Sequence, residues 1–179
     1  IFNDTEKLII SVEEKFSKEI LIKTASQELK LKLNGLIDSI ELHDNKLVLI
    51  DFKTGKVLSA DVNLGSKLNF EQAFSKANKG KFRQLALYNY LIIHQLRTHN
   101  KINGFNIPKE TELVTGMYSF RDLSEFHTQK AIPEDELIQE IETVMTTLVA
   151  EMMNETKPFI QTPDLKNCEY CAFKNVCNR

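Results

Sequence analysis

The chain has 179 residues, a formal net charge of −2, and 42% hydrophobic and 27% charged residues, which is ordinary for a globular protein and excludes disordered, collagen-like and coiled-coil chains. No apolar run approaches the roughly 20 residues of a membrane-spanning helix. An odd count of three cysteines argues against a disulfide framework, so we expect a cytoplasmic protein without a membrane partner, forming one domain over residues 1–179.

Hydrophobic periodicity and turn residues predict a mixed α/β fold whose sheet begins with antiparallel strands. Glu28 to Leu33 alternates apolar and polar residues, as a half-buried strand does, whereas the apolar residues of 81–97 recur at helical spacing. In chain order the pattern predicts one or two strands over 7–23, a strand from Glu28 through Ile40, a turn at 43–46, a strand over 46–53, a loop over 56–68, a helix over 69–97 with a break near Gly80, a strand over 113–120, a helix from Pro133 to Asn154, and a cysteine-bearing tail over 158–179.

Two aspartates face each other if residues 44–45 form a two-residue hairpin loop. In the register that this loop sets, Asp38 lies directly opposite Asp51, and Lys53 shares their face because side chains alternate along a strand. Two opposed carboxylates repel, and a hard divalent cation such as Mg²⁺ accommodates them by taking their oxygens as ligands. The alternative is that both are ordinary exposed strand residues, paired with nearby lysines.

Gln84 and Tyr88 lie one turn apart on the predicted helix and therefore share one of its faces. Taken alone, this pair also fits the polar edge of an amphipathic helix.

The segment from Lys53 to Arg83 is basic, with seven basic and two acidic residues. A local positive surface attracts phosphate even when the whole chain is slightly acidic. The acidic stretch over 110–155 is interpreted as a solvated face. The candidate DNA-binding residues of the basic segment are Lys56, Lys79, Lys81 and Arg83.

Three motifs in fixed order resemble those of a known family. Gly35-Leu36-Ile37-Asp38, Ile50-Asp51-Phe52-Lys53-Thr54-Gly55 and Gln84-Leu85-Ala86-Leu87-Tyr88 are similar to the G-x-x-D strand, D-x-K-T-G strand and Q-x-x-x-Y helix of the PD-(D/E)XK nuclease superfamily. The resemblance is strongest to the branch that includes the RecB, AddA and AddB nuclease domains and the Cas4 proteins. It implies a restriction-endonuclease-like fold, with a central mixed sheet flanked by helices and a C-terminal cysteine-bearing tail.

The resemblance also implies a metal-dependent deoxyribonuclease, and it assigns a role to each motif residue. By this resemblance, Mg²⁺ or Mn²⁺ is bound by Asp38, Asp51 and the backbone carbonyl of Phe52. Lys53 orients the hydrolytic water or stabilises the developing charge. Gln84 positions Lys53 or a phosphate oxygen, and Tyr88 supports Gln84.

The same branch implies a biological setting. It suggests an exonuclease of DNA repair and recombination that acts on a single-stranded DNA end, beside a helicase motor in the same parent chain or in a partner subunit. Two alternatives stay open. One is a catalytically inactive nuclease-like module for DNA binding or docking, and the other is a Cas4-like nuclease of CRISPR adaptation.

Cys168, Cys171 and Cys177 have the spacing C-x2-C-x5-C, which in a cytosolic chain indicates a metal site rather than a disulfide. Structural zinc and iron–sulfur sites usually take four protein ligands, and this tail supplies three. The resemblance implies a [4Fe–4S] cluster whose fourth cysteine lies upstream of the nuclease motifs. We therefore expect a chain truncated at its N-terminus, with an incomplete cluster site. Inert thiols and a small zinc-stabilised domain are the alternatives.

Overall fold

The computed structural model describes residues 7–24, 27–158 and 160–178, without the side chains of 122–124. Its strands are β1 (Lys7–Lys23), β2 (Glu28–His43), β3 (Lys46–Lys53), β4 (Lys101–Ile102), β5 (Phe105–Asn106), β6 (Glu112–Ser119) and β7 (Asp122–Thr128). Its α-helices are α1 (Ser59–Val62), α2 (Phe70–Ser75), α3 (Gly80–His99) and α4 (Glu134–Met152), and 3₁₀ turns cover Ala77–Lys79 and Leu165–Cys168. Within these ranges, no helix is long and apolar enough to cross a bilayer.

Five strands form one mixed sheet in the order β1-β2-β3-β6-β7, and β4 pairs separately with β5. β1, β2 and β3 are antiparallel neighbours, β6 runs parallel to β3, and β7 runs antiparallel to β6. A parallel pair requires a long crossover connection, and the segment that contains α1 to α3 provides it between β3 and β6. The predicted fold class, a mixed α/β domain with a central mixed sheet flanked by helices, is confirmed.

The hairpin between β2 and β3 has the predicted register. Its loop is residues 44–45, and His43 pairs with Lys46. Asp44 has a φ of 50°, the left-handed conformation that Asp tolerates better than most residues. The described pairing ends one position before the two aspartates of the sequence analysis. Their side chains therefore emerge where the β2–β3 ladder opens.

β2 changes the face that it turns toward the core. Ile37 and Ile40 are both fully buried in the same hydrophobic cluster, although strict alternation would place side chains three residues apart on opposite faces. On the neighbouring strand, Glu13 has a φ of 50° between two residues that pair with β2 on either side of Asp38. The register of the β1–β2 ribbon is the same on both sides of Glu13 and shifts instead between Ile9 and Ser11.

Helix α3 covers one face of the sheet. Leu85 and Ile92 are fully buried in one core cluster with Leu47 and Leu49 of β3, and burying each such side chain contributes roughly 1.5–3 kcal/mol. The helix ends at Asn100, a left-handed cap with a φ of 51° whose N–H donates to the Leu96 carbonyl oxygen. This packing holds α3 against the strands that carry the two aspartates.

Some elements differ from the sequence prediction. The helix predicted over 69–97 is divided into α2, a 3₁₀ turn and α3, with the break just before Gly80. The loop predicted over 56–68 contains the short helix α1, where the Asp61 carboxylate accepts the Leu58 N–H. β7 and the β4–β5 hairpin are absent from the prediction because their short sequences show no clear alternation. β7 forms because the free edge of β6 offers it a backbone partner.

Gly116→Ala is expected to lower the free energy of unfolding by about 2–3 kcal/mol and the melting temperature by roughly 5–10 °C. A Cβ at Gly116 would lie 2.7 Å from both the His127 carbonyl oxygen and the Phe126 ring, so β6 and β7 would have to separate. Thermal denaturation followed by circular dichroism measures the change. Gly55→Ala is the matched control, since a Cβ there meets nothing within 4 Å. Equal melting temperatures for the two variants would contradict the prediction.

Candidate active site

The candidate site lies where the end of β3 meets the first half of α3. Leu47, Leu49 and Asp51 alternate along β3 and point toward α3, the first two into the core and Asp51 into a polar cluster. Asp51 is only 2% exposed. A carboxylate at such a position must be compensated by hydrogen bonds or charges, because burying an isolated charge is costly.

Asp51 is compensated by a cation and two polar side chains. Its Oδ1 accepts a hydrogen bond from Gln84 Nε2 at 2.7 Å and a longer one from the Tyr88 hydroxyl at 3.4 Å. Its Oδ2 lies 2.7 Å from Lys53 Nζ. This contact is an ion pair without good hydrogen-bond geometry, and it leaves the buried Oδ2 without a hydrogen bond.

Gln84 connects the members of the cluster. Its Oε1 accepts from Lys53 Nζ at 2.9 Å, and its Nε2 donates to the Tyr88 hydroxyl at 2.7 Å as well as to Asp51. A single amide therefore fixes the lysine, the carboxylate and the phenol relative to one another. The pairing of Gln84 with Tyr88 along one helix face, expected from their spacing, is present in the structure.

Asp38 reaches the same site from β2. Its Oδ2 accepts the backbone N–H of Phe52 at 2.8 Å, so the side chain continues the β2–β3 contact where backbone pairing has ended. Asp38 therefore lies beside the backbone of Phe52, whose carbonyl the resemblance nominates as a metal ligand. It is also near enough to Asp51 for its charge to raise the pKa of that carboxyl.

Burial dominates the electrostatics of the cluster. Desolvation raises the pKa of Asp51 above its ordinary value of 3.8, with a smaller contribution from the Asp38 charge, although Lys53 acts in the opposite direction. Burial also raises the pKa of Tyr88 to about 12. Tyr88 is therefore a neutral phenol at physiological pH and serves as a hydrogen-bonding support.

The donor set fits a hard divalent cation. Asp51 Oδ2 is buried and lacks a hydrogen bond, and carboxylate and carbonyl oxygens are the ligands that Mg²⁺ and Mn²⁺ prefer. Among the described residues, no group of three or more His, Cys, Asp or Glu side chains is placed to hold a metal. Two carboxylates and a carbonyl suit Mg²⁺, which usually keeps several waters and takes further oxygens from a substrate phosphate.

The four candidate DNA-binding residues have different surroundings. Lys79 Nζ donates to the carbonyl oxygens of Ala60 and Asn63, and Lys81 Nζ pairs with Asp61 at 3.0 Å. These two lysines hold the α1 segment against the start of α3. The guanidinium of Arg83 binds backbone carbonyls of the α2 segment, and the side chain of Lys56 is exposed.

The cysteine tail shows free thiols. Cys168, Cys171 and Cys177 are partly exposed and form no disulfide. They are not arranged as a metal site within the part of the chain that the structure describes.

Ser119 contributes to the site without any sequence signal. It is 1% exposed, and its hydroxyl donates to the Gly55 carbonyl oxygen at 2.9 Å. The next residue, Phe120, donates its N–H to the Lys53 carbonyl oxygen at 2.8 Å. The end of β6 thereby holds the backbone on which Lys53 stands. The parallel pairing of β3 with β6 brings these distant residues together, and a local sequence pattern does not reveal such a contact.

A family model and one solved structure relate this chain to known proteins. The sequence model of the PD-(D/E)XK nuclease superfamily matches residues 4–178. Among solved structures, the chain is similar to the one titled "Crystal structure of SSO0001", with 16% sequence identity and a TM-score of 0.38 over 93% of this chain. The chain spans 59% of the length of that protein. A comparison with curated proteins gave no match.

Proposed function

The chain belongs to the PD-(D/E)XK nuclease superfamily, and from this premise we propose that it is a metal-dependent deoxyribonuclease that hydrolyses phosphodiester bonds. The observation that carries the proposal is the interlocked set of Asp51, Lys53 and Gln84, with distances of 2.7–2.9 Å between their polar atoms. The buried carboxylate can act as a metal ligand, and the fixed ammonium can stabilise negative charge. Metal-assisted hydrolysis of a phosphodiester uses both.

Each residue of the candidate site has a proposed role that follows from its position. Asp38, Asp51 and the Phe52 carbonyl would hold Mg²⁺ or Mn²⁺, and the bound ion supplies Lewis acidity and a reactive water near neutral pH. Lys53 faces the charge that develops on the attacked phosphate. Gln84 keeps the ammonium in place, so little reorganisation is needed when the charge appears.

The finer proposal follows the branch that the motifs resemble. We propose an exonuclease that acts on a single-stranded DNA end in a cytoplasmic helicase–nuclease of RecB or AddB type, within DNA repair or recombination. The helicase motor would lie in the same parent chain or in a partner subunit. In this proposal, Cys168, Cys171 and Cys177 supply three ligands of a [4Fe–4S] cluster, and a cysteine elsewhere in the parent protein supplies the fourth.

A cleavage assay tests the proposal directly. The chain is incubated with end-labelled linear and circular single-stranded DNA, in Mg²⁺, in Mn²⁺ and in EDTA. We expect metal-dependent release of short products from the linear strand, while the circular strand stays intact if the enzyme is an exonuclease. Products from the circle would instead indicate an endonuclease. Tight DNA binding without cleavage at any metal concentration would contradict the proposal and favour an inactive nuclease-like module for DNA binding or docking.

Metal binding should be visible without DNA. At tenfold excess over its dissociation constant, Mg²⁺ or Mn²⁺ is expected to stabilise the fold by about 1.4 kcal/mol, which raises the melting temperature by roughly 3–5 °C. Asp38→Asn should reduce this shift because it removes a charged oxygen ligand. Asp44→Asn, the same change in the hairpin loop, should keep it. Equal shifts for the two variants would argue against a metal at Asp38.

A further inference from the structure

A cavity lies at the end of the fold opposite the candidate active site, where the starts of β3 and β6 meet the last turn of α3. On β3, Leu47 of this cavity lies about 13 Å along the strand from Asp51, and on α3, His99 lies about 22 Å along the helix from Gln84. The cavity is therefore separate from the catalytic cluster. We call it the basal pocket, and its floor and rim include Leu47, Leu96, Ile107, Lys109, Thr111 and Leu113.

The floor of the basal pocket is apolar. Leu47 and Leu113 are register partners in the parallel β3–β6 pair, so their side chains share the sheet face that α3 covers. Leu96 of α3 and Ile107 complete the floor, and Leu47 and Ile107 are only 1% and 2% exposed. The volume of the pocket is about 480 Å³, within the range of sites for small organic molecules. The apolar body of such a molecule therefore fits against the floor.

A turn over residues 108–111 places a hydroxyl and a cation at one edge of the pocket. The N–H of Thr111 donates to the Pro108 carbonyl oxygen at 3.1 Å, and this turn brings Lys109 and Thr111 to the same edge. The Thr111 hydroxyl oxygen is buried and has no hydrogen-bond partner among the described residues. Because buried polar groups are nearly always hydrogen-bonded, this hydroxyl points to a ligand with a polar group at this edge.

The charges around the pocket favour an anion. Glu134 is the carboxylate among the described lining residues, and its charge is matched by Arg97 at 2.8 Å. Arg97 also pairs with Asp135 at 2.8 Å, so its own charge is already compensated. Lys109, in contrast, is exposed and forms no ion pair with any residue that the structure describes. Its ammonium is therefore available to a negatively charged group beside the Thr111 hydroxyl.

We propose that the basal pocket binds a small organic acid, with its carboxylate toward Lys109 and Thr111 and its apolar body against Leu47, Leu96 and Leu113. One ammonium and one hydroxyl match a single carboxylate, whereas a polyphosphate needs several cations. The proposal does not depend on the nuclease function, because the pocket shares no lining residue with the catalytic cluster.

Three ligands with the same octyl chain and different head groups test the proposal. Octanoate, 1-octanol and octylammonium are titrated into the protein, and binding is followed by NMR of the leucine methyl groups. Octanoate is expected to bind with a dissociation constant of about 0.1–1 mM, about three- to fivefold tighter than octanol, and octylammonium should bind most weakly. The largest shifts should be at Leu47, Leu96 and Leu113. Equal affinities for the three ligands, or shifts confined to other leucines, would overturn the proposal.

Two variants separate the roles of the cation and the hydroxyl. Lys109→Met should weaken octanoate binding by about three- to fivefold and leave octanol binding unchanged. Lys101→Met is the matched control, since Lys101 is also exposed but does not line the pocket, and it should bind octanoate like the wild type.

Thr111→Val removes the hydroxyl with little change in shape. It should weaken octanoate binding by about five- to tenfold, while the melting temperature without ligand stays equal or rises because a buried polar atom without a partner is removed. If Thr111→Val folds poorly, Lys109→Met still decides, because its change lies in an exposed turn. Octanoate binding by Lys109→Met as tight as that of Lys101→Met would overturn the proposal, whatever the cleavage assay shows.

Discussion

Asp51→Asn is expected to lower the single-turnover rate constant of Mg²⁺-dependent DNA cleavage by about 1000-fold. The amide keeps the shape of the carboxylate and can still accept the hydrogen bond from Gln84. It removes the negative charge that pairs with Lys53 at 2.7 Å and that would ligate the metal. The loss should therefore appear in the chemical step, with DNA binding in EDTA close to that of the wild type.

The same variant should not be less stable at neutral pH. Burial raises the pKa of Asp51 above 3.8, so the fold favours the protonated form. The stability that this group contributes is present below pH 3.8 and is lost as the pH rises through the raised pKa. A neutral amide avoids that loss, so a melting temperature equal to or above that of the wild type should accompany the loss of cleavage.

Asp44→Asn serves as the control, because it makes the same chemical change at the far end of the same hairpin, in a position where Asn tolerates the left-handed conformation. It should cleave DNA at the wild-type rate. If Asp51→Asn cleaved DNA at the wild-type rate, or if both variants were inactive, the proposed catalytic role of Asp51 would be contradicted.

Lys53→Met is expected to slow cleavage by about 100- to 1000-fold. Methionine keeps much of the apolar stem but removes the ammonium that Gln84 Oε1 and Asp51 Oδ2 hold in place. If Lys53 stabilises charge only in the transition state, kcat and kcat/KM should fall together while KM changes little. Lys53→Arg should rescue little, because a planar guanidinium does not reproduce a point charge held at 2.9 Å from Gln84.

Lys46→Met is the matched control for the lysine variant. Lys46 begins the same strand, and its exposed ammonium lies 3.5 Å from Glu112, a surface pair that contributes about 0–1 kcal/mol. Cleavage by this variant should equal that of the wild type. If Lys53→Met raised KM and left kcat unchanged, Lys53 would be a binding residue and its proposed role in the chemical step would be wrong.

The two halves of the candidate site could be predicted because each is built within one local element or hairpin. A two-residue hairpin loop sets the register of β2 and β3, and this register is confirmed by the pairing of His43 with Lys46. Alternation then places Asp51 and Lys53 on one face of β3. Helical spacing places Gln84 and Tyr88 on one face of α3. The residue roles remain a proposal, but each motif is built within one local element.

Other features depended on contacts between distant segments. The basic residues of the sequence predict a DNA-binding surface, and this stays a prediction. The structure adds that Lys79 and Lys81 contact the α1 segment, because α1 folds back against the start of α3. Ser119 meets the backbone after Lys53 only because β6 runs parallel to β3. A pattern over a few residues does not contain these pairings, since they are decided by how whole elements pack.

The sequence alone determined the mixed α/β fold class and the β2–β3 hairpin, because periodicity and turn chemistry act over a few residues. The resemblance of three ordered motifs to the PD-(D/E)XK family added the nomination of Asp38, Asp51, Lys53, Gln84 and Tyr88. The tertiary structure decided that α3 lies over β3, so that Gln84 reaches both Asp51 and Lys53. It also decided that a pocket opens where the starts of β3 and β6 meet the end of α3. The physical reason is that burial and side-chain hydrogen bonds between distant segments exist only once the core has packed.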